Sequence, residues 1–205
     1  MNRKQKILQV RNKFYILTNG RETEKNYFEL LKSKKSIYDV KIEFHNKSPL
    51  GLVKYGKTLL DANQVWCVFD IDNTETEGTL NDAIRLASKT NVQIAFSNIS
   101  FEVWLLSHFG KVEKAMNNTQ IMSEMNKLLR NELKINKDYE KSDIDLLKKF
   151  FLPHYKDAIL NSKIVYQKRI IAHQQSSQNT QYKIGEWNPC TNVFKLVESL
   201  QLGKK

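Results

Sequence analysis

Val65-Trp66-Cys67-Val68-Phe69-Asp70-Ile71-Asp72 decides how this chain reads. Five apolar residues in a row, then carboxylates at alternate positions, describe a strand covered on both faces that ends in an acidic rim. Such strands belong to parallel sheets, whose carboxyl ends open onto the crevice where ligands bind. Two carboxylates at one strand end can share a hard cation, and Mg²⁺ is ordinarily held by one or two carboxylates plus substrate phosphates. Such an ion can polarise a phosphate and orient an attacking oxygen. The plainer role open to Asp70 and Asp72 is to start the loop that follows.

Upstream, residues 12–18 cluster β-branched and aromatic side chains and read as a first strand, punctuated by Asn19-Gly20. Thr23 is placed to cap a helix running through Tyr27, Leu30 and Leu31 to Lys35, with Glu24 favoured in its first turn. Asp39 to His45 alternates as a half-exposed strand, and Pro49 with Gly51 opens a helix reaching Ala62. Downstream, Leu80 to Lys89 reads as a helix and Val92 to Phe96 as a fourth strand. The order β-α-β-α-β-α-β at these lengths predicts parallel crossovers.

After Phe101 only helical periodicity is visible. Ala172 to Lys183 is rich in Gln, Ser and Asn and reads as a mobile loop, and Asn192 to Leu200 as a last helix. The division expected is an α/β domain over 1–110 and a helical extension over 111–205, packed on the same unit.

The 205 residues can bury a sizeable core without staples. Cys67 and Cys190 stand far apart, which argues against a disulfide framework or a cysteine zinc site. No apolar run approaches a membrane span, and the basic stretch Met1 to Lys13 lacks the apolar core of a secretory signal, so a cytoplasmic setting is expected. No glycine-rich phosphate loop is present. The net charge of +11 is unevenly placed: residues 1–35 carry +7, residues 36–110 carry −3, and residues 111–205 carry +7. A negative centre flanked by positive segments suits a protein that holds a phosphate backbone beside a metal site, although solvated lysines alone produce the same sum.

Other candidates surround the acidic pair. Asn19 can coordinate or hydrogen-bond but cannot act as a general base. Glu22 and Glu24 lie close by, Glu24 having the alternative role of favouring the helix N-terminus. Ser97-Asn98 ends the fourth strand, and Glu102 follows in the first turn of a helix, as a third acidic ligand or as a dipole partner. His108 reads as a packed core histidine, and His45, His154 and His173 show no metal-ligand spacing. Lys156, Lys163, Lys168 and Arg169, interleaved with Tyr155 and Tyr166, are either phosphate contacts or a solvated face around a helical core.

Taken in order, Ile16-Leu17-Thr18-Asn19-Gly20-Arg21-Glu22-Thr23-Glu24-Lys25-Asn26-Tyr27-Phe28, Phe69-Asp70-Ile71-Asp72, Phe96 to Phe109 and Asn188-Pro189-Cys190-Thr191-Asn192-Val193 resemble the RloB family, also represented by abortive-infection proteins of the AbiL type. The resemblance implies a Toprim-like Rossmannoid domain with a four-stranded, largely parallel sheet and a helical C-terminal region. It also implies a place in bacterial defence against phage. In that pattern a glutamate ending the first strand does acid/base work and the aspartate pair holds Mg²⁺. The aspartates carry over to Asp70 and Asp72, whereas the glutamate position is Asn19 here, and the usual Ser-Asn-Pro is Ser97-Asn98-Ile99.

The expectation is therefore a Toprim-type nuclease dependent on Mg²⁺ (or Mn²⁺). Asp70 and Asp72 would hold the ion, Glu102 would support it, and Glu22 or Glu24 would be the substitute base. Arg21, Lys25 and the later lysines would grip phosphates. The resemblance favours RNA, such as tRNA, over DNA, and allows a defence-system partner such as an ATPase and self-association. The alternative is a catalytically weakened, nucleic-acid-binding or effector subunit.

Overall fold

The computed structural model describes residues 12–32, 36–71, 77–176 and 184–202. Asp72 of the expected metal pair, the basic stretch 1–11 and residues 177–183 of the expected loop lie outside them.

Four strands are parallel: β1 (Asn12–Thr18), β2 (Tyr38–Phe44), β3 (Gln64–Asp70) and β4 (Val92–Asn98). The sheet order is β2-β1-β3-β4-β5. The fifth strand, β5 (Cys190–Thr191), is antiparallel to β4 and corrects the expectation of four. Two residues behind a proline are too short to show alternation, so β5 has no sequence signature.

α1 (Thr23–Leu31) joins β1 to β2, α2 (Pro49–Gly56) joins β2 to β3, and α3 (Glu77–Ala87) joins β3 to β4. Because β1 to β2 and β2 to β3 run in opposite directions across the sheet, right-handed crossovers place α1 on one face and α2 and α3 on the other. α2 and α3 indeed pack on each other and on β1, β3 and β4. The α1 face is completed by α4 (Glu102–Leu106), α5 (Asn118–Lys127), α6 (Ile144–Leu146), α7 (Tyr155–Ser176) and α8 (Val193–Leu202), with π-helical turns at Leu128–Glu132 and Leu147–Phe151. One buried cluster runs from Phe14 to Leu200, so the C-terminal helices share the core of the sheet.

The helices end where their apolar stripes end. α1 stops at Leu31 rather than Lys35, with Lys32 extended, because no apolar residue follows to continue the buried face. α2 stops at Gly56 rather than Ala62: Leu60 is 91% exposed, and Thr58 turns its hydroxyl onto the Tyr55 carbonyl at 2.7 Å. α7 continues through Ala172 to Ser176, so the first part of the expected loop is helical.

The segment Asn188 to Val193 closes the β4 edge. The Asn192 side chain imitates a peptide group, accepting from Phe96 N–H at 2.6 Å and donating to the Ile94 carbonyl at 3.1 Å. The Asn98–Ile99 and Asn188–Pro189 peptides are cis. Cys67 and Cys190 are free and buried, and burial pushes both thiols up to about 12. Among the described residues no helix is long and apolar enough to cross a membrane.

Candidate functional site

The sheet order reverses its winding between β1 and β3, and their carboxyl ends flank the crevice where open α/β sheets bind ligands. Thr18 pairs with Val68, and Asp70 with Ser97, so Asn19-Gly20 emerges beside Phe69-Asp70. A cavity of about 340 Å³ opens there, lined by Asn19, Gly20, Arg21, Glu22, Thr23, Glu24, Asp70 and Lys141. The sequence nominated all of these except Lys141. A larger cavity of about 700 Å³ lies between the 109–116 segment and α5, but it shares no residue with the strand ends. The smaller one occupies the position that the topology designates.

Glu24 is the most constrained member. It is 6% exposed, and its carboxyl group fills the space where a β-carbon on Gly20 would stand. Side chains at a helix start lean back toward the N-terminus, so a glutamate in the first turn of α1 reaches over the end of β1. Burial, chiefly, pushes the Glu24 carboxyl above its ordinary value, and the charge of Glu102 adds to the effect, while its own backbone N–H and Lys141 oppose it. Glu22 differs: it is exposed, precedes the helix and makes no side-chain capping bond. Of the two glutamates the sequence left open, Glu24 is the one seated at the strand end.

Glu102, 1% exposed, does not line the cavity itself but touches Lys141, which does: the Tyr139 hydroxyl donates at 3.3 Å and Lys141 Nζ lies 3.4 Å from the same Glu102 oxygen. Thr23 is the first residue of α1 rather than its cap, and its hydroxyl donates to the Lys141 carbonyl at 3.1 Å, tying the 139–141 segment across the helix start. Burial acts to lower the Lys141 pKa, but Glu102, Asp70 and Glu24 outweigh it and hold the ammonium above its ordinary value. Lys141 and Tyr139 were not legible in the sequence, because Tyr139-Glu140-Lys141-Ser142-Asp143 carries neither periodicity nor a motif.

The other nominated residues lie elsewhere. Ser97 shares a hydrogen bond with the Thr191 hydroxyl at 3.0 Å, and Asn98 donates to the Ile184 and Gly185 carbonyls at 3.0 and 2.9 Å. Both are buried and tie β4 to the segment 184–191. His108 is buried as expected: Nδ1 faces the Trp104 and Leu105 carbonyls at 3.0 and 3.1 Å, and Nε2 faces the Tyr27 hydroxyl at 3.0 Å. Because carbonyls only accept, Nδ1 carries the proton and Nε2 accepts from Tyr27. Lys25 sits half-buried on α1 outside the cavity lining. On α7, Lys156 is exposed, Lys163 pairs with Glu198 at 3.2 Å, Lys168 pairs with Glu113, and Arg169 donates to the Asn188 carbonyl at 3.0 Å. Three of these four α7 cations therefore engage the protein itself.

Carboxylates alone, without His or Cys, make the donor type of a hard cation such as Mg²⁺ or Mn²⁺. In that respect Glu24, Asp70 and Glu102 fit one. Among the described residues, however, no three His, Cys, Asp or Glu side chains are arranged to hold a metal. Lys141 Nζ, 3.4 Å from Glu102, sets one positive charge beside these carboxyl groups.

A protein-family model described as RloB-like protein matches residues 14–200. Neither the curated proteins nor the solved structures compared with the chain match it.

Proposed function

Because the chain belongs to the RloB-like family, we propose that it is a divalent-metal-dependent nuclease of the Toprim type, acting on RNA in bacterial anti-phage defence. The observation that carries this reading is the Glu24 carboxyl group seated over Gly20 at the β1 end, facing the same cavity as Asp70. It supplies a carboxylate where the family pattern has one and this chain has Asn19.

In this reading Asp70, supported by Glu102, would hold Mg²⁺ or Mn²⁺, which would supply Lewis-acid polarisation of a bound phosphate; Asp72, the second aspartate of the sequence pair, lies outside the described residues. Glu24 accepts the proton of the attacking water, and its raised pKa brings it closer to the neutral range in which a base works best. Arg21, exposed at the cavity rim, meets the phosphate backbone. The preference for RNA, the defence role and any ATPase partner rest on the family resemblance alone.

The test is cleavage of RNA and DNA with Mg²⁺ or Mn²⁺ by wild type, Asp70→Asn and Glu24→Gln. RNA cleavage that requires the metal and is lost in both variants supports the proposal. Undiminished cleavage by Asp70→Asn overturns it. One observation favours a non-catalytic, nucleic-acid-binding role instead: the cluster already has a lysine counter-charge and no three-ligand arrangement among the described residues. Salt-sensitive RNA binding without cleavage under any metal would establish that reading.

A further inference from the structure

We infer that Lys141 is the resident counter-ion of the acidic strand-end cluster, holding the place of a divalent cation and competing with it. The inference rests on the metal-dependent reading of this site.

The lysine is delivered by its main chain. Its carbonyl accepts from Thr23 at 3.1 Å, and two residues earlier Tyr139 is buried, with its N–H donating to Asn126 at 2.7 Å. The segment is therefore pinned on both sides of Glu140, and Lys141 stands at the cavity whatever its side chain does. Nζ lies 3.4 Å from Glu102, whose side chain is 2% exposed. A carboxylate so buried needs a cation near it. Asp70 and Glu24 line the same cavity as this ammonium and interact with it electrostatically.

The Lys141 side chain is nevertheless 53% exposed. Its flexible four-carbon stem can swing away without opening the core, unlike a buried structural lysine. A divalent ion entering beside Asp70 and Glu102 would take over the charge, leaving the ammonium at the rim beside Arg21, where a substrate phosphate would arrive. The two cations cannot both sit against Glu102 without repelling each other, so their binding is mutually exclusive.

The experiment measures Mn²⁺ binding to full-length wild type, Lys141→Met, Lys141→Arg and Asp70→Asn without nucleic acid, by electron paramagnetic resonance of the free ion. Thermal midpoints are recorded with and without Mn²⁺. Removing a unit charge a few ångströms from the ion, partly screened by solvent, should tighten Mn²⁺ binding of Lys141→Met about tenfold. Lys141→Arg should match wild type. Lys141→Met should melt lower than wild type without Mn²⁺ and regain more on its addition. Equal or weaker binding by Lys141→Met overturns the inference alone, as does a shift of the same size in Lys141→Arg. Unchanged affinity in Asp70→Asn places the ion elsewhere and also overturns it. Binding by neither wild type nor Lys141→Met overturns the metal reading of the site, and this inference with it.

Discussion

Gly20→Ala tests the seat of Glu24 without touching Glu24 itself. No described glycine has a positive φ, so the backbone at position 20 accepts alanine. The obstacle is space: the new β-carbon would overlap all three atoms of the Glu24 carboxyl group, far inside the 3.0 Å that real β-carbons respect. Those atoms are the far end of a flexible side chain, so the carboxyl swings out while β1 and α1 stay in place. Alanine restricts the unfolded chain and by itself stabilises by about 0.4–1 kcal/mol. Releasing the carboxyl from its buried position relieves a desolvation cost as well. Stability from urea denaturation should therefore hold or rise slightly.

Cleavage should behave otherwise. A positioned general base contributes about 10²–10⁴-fold, and Gly20→Ala should lose a factor in that range under single-turnover conditions. The pH profile adds a second readout. Because Glu24 sits above its ordinary value, the acid limb of the wild-type profile should lie above that of an exposed carboxylate, and Gly20→Ala should move it down. The double variant Gly20→Ala, Glu24→Gln should lose no more than the worse single variant, since both remove one group from one place. Wild-type activity in a folded Gly20→Ala protein would refute the reasoning, and so would additive losses in the double variant. Destabilisation beyond about 2 kcal/mol would show that the backbone, not the carboxyl, had yielded.

Three further outcomes are expected. His108 is held down to about 4 from its usual 6.5, mainly by burial, so the unfolded chain takes up this proton first as pH falls. Its contribution to stability is complete above pH 6.5 and is lost between 6.5 and 4, amounting to about 3 kcal/mol; in urea titrations His108→Gln, which keeps an acceptor for Tyr27, should flatten that fall, and an unchanged slope would contradict the assignment. Asn192→Ala strands Phe96 N–H and the Ile94 carbonyl at the β4 edge and should cost about 2–4 kcal/mol, with faster amide exchange at Phe96; a loss below 0.5 kcal/mol would mean that water replaces the side chain, on the ~1–3 kcal/mol scale of each unsatisfied group. Asn19→Glu should restore cleavage to a Glu24→Gln protein while adding little to wild type, and rescue that fails at every pH would separate the two positions functionally.

What the sequence made legible was whatever one element alone determines. The run from Val65 to Phe69 could only be a covered strand, and it lies third in the sheet with Asp70 at its end. The histidine on an apolar helix could be read as core because its neighbours in sequence are also its neighbours in space. Asn192 shows the opposite case. Its amide completes a ladder on a strand nearly a hundred residues earlier, and nothing around it in sequence says so. Lys141 is hidden for the same reason, since the partners that give it meaning are Thr23, Glu102 and Asp70. For the lysines and arginine of α7 the spacing shows that they are charged, but not that Glu113, Glu198 and the Asn188 carbonyl engage three of them.

The departure at position 19 and the glycine at position 20 are best understood together. A glutamate ending β1 would place its carboxylate at the strand tip directly. With asparagine there, the same space can be reached from the first turn of α1, because helical side chains lean toward the N-terminus. That route works only if the residue between strand and helix has no β-carbon to occupy the space. Gly20 meets this condition, and the carboxyl of Glu24 lies where its missing side chain would be. Asn19, Gly20 and Glu24 thus form one arrangement, and under the proposed function the acid/base group would stand five residues further along the chain while staying at the same end of the same strand. Burial to 6% exposure and the charge of Glu102 both raise the Glu24 pKa, so holding this carboxyl group at the strand end carries a desolvation cost that an exposed glutamate would not bear.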